Sequence, residues 1–63
     1  MNWKELVKKS IELQKAIATA MLPEDKDALA EEAEITLNRA YIESGDDLAV
    51  TDYWVDLRRE VLA

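Results

Sequence analysis

Pro23-Glu24-Asp25-Lys26-Asp27-Ala28-Leu29-Ala30-Glu31-Glu32-Ala33-Glu34-Ile35-Thr36-Leu37-Asn38-Arg39-Ala40-Tyr41-Ile42-Glu43-Ser44-Gly45 is the stretch whose reading decides the fold. Proline suits the first position of a helix, where its missing N–H would have no partner anyway. Glu24 and Asp25 set negative charge beside the positive end of the helix dipole. Gly45 can take the left-handed conformation that closes a helix. No breaker intervenes, so the spacing predicts a helix over 24–44, with Pro23 or Asp25 at its entrance. It reads as the central element on which the rest of the chain packs.

That helix carries two apolar stripes. The broad one is Leu29, Ala30, Ala33, Leu37, Ala40 and Tyr41, and its alanines admit a close neighbour. The other is Ala28, Ile35 and Ile42, spaced by seven on roughly the opposite side and flanked by Glu31 and Arg39. A surface helix normally shows a single stripe, so the second one needs a cause. In one reading the third helix crosses over and packs there, leaving the central helix sandwiched. In the other, both neighbours use the broad stripe and the isoleucines stay exposed, as is usual for a self-association or partner surface. The charges between the isoleucines argue against a long coiled coil.

Upstream, Asn2 can cap a helix over 2–21, with Glu5 completing a capping box. Trp3, Leu6, Val7, Ser10, Ile11, Leu13, Gln14, Ile17, Ala18, Ala20 and Met21 fall on one half of it, and the lysines, Glu5, Glu12 and Thr19 on the other. That apolar half is wide enough to touch two neighbours. Leu22-Pro23 ends the helix, because a residue before proline avoids the helical conformation. The short connection makes the first two helices antiparallel. Downstream, Asp46 to Ala49 reads as a connection. Thr51 reads as the cap of a third helix over 51–62, stapled by Val50 against Val55 and burying Tyr53, Trp54, Leu57, Val61 and Leu62. The expected fold is all-α: one domain over 1–63, a small three-helix bundle with a short first loop and a longer second one.

Composition narrows the function classes. A chain of 63 residues makes one domain at most and buries only about 60% of its unfolded surface. Its 49% apolar content is too high for a disordered chain. With no Cys there is no disulfide framework or thiolate metal site, and with no His the commonest general base and metal ligand are both missing. The hydroxyls of Ser10, Thr19, Thr36, Ser44 and Thr51 therefore lack an activating imidazole, and no glycine-rich loop offers an oxyanion or phosphate cradle. Gly45-Asp46-Asp47 sits between helices rather than in the strand-turn-strand of a polymerase acidic turn. Asp46, Asp47 and Asp52 do not fit the spacing of a calcium loop. The expectation is no enzyme activity, no catalytic residue, no metal, no cofactor and no small-molecule substrate.

Net charge is −6 and uneven. Residues 1–22 carry +2, residues 23–45 carry −5 and residues 46–63 carry −3. An acidic surface repels nucleic acid and anionic membranes, so neither is an expected partner. No uncharged run approaches the roughly 20 residues of a bilayer span, and Glu12 and Lys15 interrupt any signal-peptide core. The cysteine-free composition is compatible with a reducing cytoplasm, the expected location.

These readings converge on a non-enzymatic protein–protein interaction module, a small regulator or assembly subunit. It would bury the apolar stripe of its acidic central helix while the acidic flanks steer a basic partner. The expected interface residues are Ala28, Glu31, Ile35 and Ile42, with Trp3 as the aromatic best placed for exposure. Two other classes stay open: an acidic mimic of nucleic acid that occupies a basic partner, and a structural or designed bundle with no binding function.

Overall fold

The computed structural model describes residues 2–62, the side chain of Leu62 excepted. It is a three-helix bundle: α1 spans Trp3–Thr19, α2 spans Pro23–Ser44 and α3 spans Asp47–Leu62.

Asn2 caps α1, its Oδ1 accepting from the Lys4 amide at 2.9 Å. The helix stops at Thr19, two residues before its predicted end at Met21. Ala20 is already extended, and its N–H closes the last turn on the Ala16 and Ile17 carbonyls. The chain must reverse direction before Pro23, and Leu22 must be extended ahead of it, so Ala20 and Met21 are spent on the turn. Met21, expected on the buried half, is 91% exposed as a result. Pro23 is the first residue of α2, and Gly45 ends that helix in the left-handed conformation at φ 67°.

The entrance to α3 departs from the expectation. Asp46 is the cap, not Thr51: its Oδ1 accepts from the Ala49 amide at 3.2 Å and its carbonyl accepts from the Val50 amide at 3.2 Å. Aspartate caps as well as threonine does, and nothing between Asp47 and Thr51 breaks a helix. The earlier start adds a turn and buries Val50 completely, worth about 1.5–3 kcal/mol. Residues 46–49, expected as a connection, are thus the cap and first turn. The second connection is only Gly45-Asp46, stiffened by the Ser44 hydroxyl, which accepts from the Asp46 amide at 3.0 Å. Thr51 instead sits on the helix surface, where its Oγ1 and the Tyr41 hydroxyl are hydrogen-bonded at 2.8 Å.

The core joins Leu6, Val7 and Ile11 of α1 to Ala40 of α2 and Val50 of α3. Trp3, Leu37, Tyr41, Tyr53, Trp54, Leu57 and Val61 pack around them. Leu62, predicted to be buried, lies outside the described side chains. The helix shared by both neighbours is α1 rather than α2: α3 packs more extensively on α1 than on α2. Where α1 meets α2, small residues allow close approach. Ser10 is fully buried and donates to the Ala33 carbonyl at 2.8 Å, with Ala33, Thr36 and Ala40 buried along the same face. Thr36 satisfies its own hydroxyl by donating to the Glu32 carbonyl at 2.7 Å.

If Asp46 caps α3, Asp46→Ala should cost about 1 kcal/mol in urea unfolding, near the middle of the range for lost caps. Thr51→Ala should cost less, since it removes one exposed hydrogen bond. The reverse order would restore Thr51 as the start of the helix.

Candidate protein interface

Ala33, Thr36 and Ala40 face α1, and a helix turns about 100° per residue. Residues 28, 35 and 42 therefore fall on the side of α2 directed away from the bundle. All three are exposed: Ile35 at 58%, Ile42 at 80%, and Ala28 with them. Among the described residues no helix covers them, so the sandwich arrangement does not occur. Glu31 is exposed beside the stripe, as are Glu32, Glu34, Asn38 and Arg39.

Burial explains why these isoleucines stand out. Isolated exposed apolar residues are ordinary, but these two lie one heptad apart on one line, with an alanine a further heptad along. All seven carboxylates of α2 (Glu24, Asp25, Asp27, Glu31, Glu32, Glu34 and Glu43) are also exposed. Against them stand Lys26 and Arg39, and Arg39 Nε lies 3.6 Å from Glu43 Oε1 on its own helix. The face is thus an apolar line in an acidic frame.

Trp3 does not belong to it. Its ring meets Tyr53 edge-on with centroids 5.8 Å apart, and Lys4 Nζ lies 5.8 Å from the Trp3 centroid and 5.7 Å from that of Tyr53. These contacts place Trp3 on the rim of the core. Trp54 is covered on one side by the Arg58 guanidinium at 5.2 Å, and its buried Nε1 has no hydrogen-bond partner among the described residues.

Other exposed apolar side chains escaped the sequence reading. Leu48 is 78% exposed on the first turn of α3, and Leu22 is 53% exposed beside Met21 in the first connection. Leu48 could have been found by counting from Val50, since two residues along a helix point to nearly opposite sides, but reading 46–49 as a connection hid it.

Among the described residues, no group of three or more acidic, His or Cys side chains is arranged to hold a metal ion. Among the described residues, no helix is long and apolar enough to cross a membrane. No protein-family model matches the chain, and no curated protein or solved structure matches it.

An exposed stripe should tolerate charge. Ile35→Glu with Ile42→Glu should keep the helical circular dichroism, with each change shifting stability within about 0.5 kcal/mol. Ile11→Ala, in the core, should cost about 2–5 kcal/mol. Unfolding of the double variant would show that the stripe is packed inside the molecule.

Proposed function

We propose that this chain is a non-enzymatic protein-interaction module, a small regulator or assembly subunit that buries the outer stripe of α2 against another protein chain. One observation carries the reading: Ile35 and Ile42 are aligned and exposed on the side of α2 that no other helix covers. Burying both would gain about 1.5–3 kcal/mol for each fully covered isoleucine. The acidic frame disfavours nucleic acid and anionic lipid, and it asks the docking chain for a basic group near its apolar contact. The cysteine-free sequence fits work in the cytoplasm.

A second reading draws on a different observation, the seven exposed carboxylates of α2. As an acidic mimic, the helix would occupy a basic groove meant for phosphates. Its affinity would then rest on charge and fall steeply with salt, whereas apolar docking would not.

A photo-crosslinking side chain at position 42 tests the first reading, with position 56 on the solvent side of α3 as control. Crosslinking in the cell should give a discrete adduct from position 42, none from position 56, and loss of the adduct with Ile35→Glu. Equal labelling from both positions, or none, would contradict a docking surface on α2. An adduct that survives Ile35→Glu but disappears in high salt would favour the mimic.

A further inference from the structure

We propose that the occupant of the α2 stripe is a second copy of this chain, its α2 lying antiparallel across the first with Ile35 on the two-fold axis. This rests on the stripe being a docking surface and adds which chain docks.

The argument is one of self-complementarity. In an isologous interface the same patch must match itself. Centred on Ile35, an antiparallel pair sets Ile35 against Ile35 of the second copy and Ile42 against Ala28 at each end. The bulky end of the stripe therefore meets its small end. At about 100° per residue, Glu32 and Arg39 lie on one flank of the stripe and Glu31 and Asn38 on the other. A two-fold axis perpendicular to the helices returns each flank onto itself. It brings Glu32 opposite Arg39 of the second copy, and Glu31 opposite Asn38, each pairing occurring at both ends.

Arg39 is free to make this exchange. Its contact with Glu43 is long, at 3.6 Å, and its side chain is 69% exposed. The acidic frame asks for a basic group beside an apolar contact, and the second copy supplies one at the required position. A parallel pair fails the same test: its two-fold axis runs along the helices and exchanges the flanks, setting Ile42 against Ile42 and Glu31 beside Glu32 of the second copy, and juxtaposed like charges destabilise. The charge of −6 on each copy opposes any association, so pairing depends on this register. One exposed helix face per copy also places the dimer at the small, weakly bound end of interface sizes.

Sedimentation of four proteins tests the proposal: wild type, Arg39→Glu, Glu32→Arg and the double charge swap. Wild type should pass from monomer to dimer as concentration rises. Each single variant should weaken association about tenfold, and the double swap should recover most of that loss. A wild type monomeric at every concentration, single variants equal to wild type, or a swap without recovery would each overturn it. Orientation has an independent check because the chain contains no cysteine. Glu31→Cys mixed with Asn38→Cys should form a disulfide between unlike copies, whereas Glu31→Cys linking to itself would overturn the antiparallel pair. A monomeric wild type that still crosslinks from position 42 to a foreign protein removes the second copy and leaves the docking surface standing. Loss of both removes the docking surface as well.

Discussion

Ser10 reaches the Ala33 carbonyl at 2.8 Å across the contact of α1 with α2. That bond exists only because the two backbones lie close, and they lie close because Ser10, Ala33 and Ala40 are small and fully or almost fully buried. The alanines take up one side of α2 in this contact. The larger side chains of α1, Val7 and Ile11, then share one core with Val50 of α3, and Trp54 and Leu57 pack against that core. Because α3 enters after only Gly45-Asp46, it cannot travel around α2 to reach the far side. It lies chiefly on α1, and the outer face of α2 stays uncovered.

Much of this was legible in the sequence because backbone chemistry announces itself. Proline at the start of α2, glycine at its end and asparagine before α1 have few alternative explanations, and the periodicity of α1 separates its two faces clearly. The start of α3 was harder to read because Asp46 and Thr51 are both good caps. Local preference could not choose between them, and the choice rests on the burial of Val50, a tertiary effect. The same slip hid Leu48. The stripe itself was visible as a heptad spacing of Ala28, Ile35 and Ile42. Whether α3 covered it could not be read, since that depends on the length of the second connection.

The stripe and its acidic frame act together in the proposed function. An apolar line alone would attract many partners. Carboxylates on both sides raise the cost of any partner lacking a basic group in register, so charge here contributes discrimination more than affinity. The bundle supplies the rigid backing, and α2 offers a preformed helix that need not be ordered on binding.

The outer face of α2 is bare in the single chain, and the proposed association covers it. Solvent paramagnetic relaxation of isoleucine methyl groups tests it directly, since the four isoleucines, at 11, 17, 35 and 42, sample both core and surface. In dilute solution the methyls of Ile35 and Ile42 should relax fast while those of Ile11 are shielded. As the protein is concentrated, Ile35 and Ile42 should become shielded too. Shielding of Ile42 at the lowest concentration would mean that the chain covers its own stripe, and full exposure at every concentration would mean that no second copy docks there.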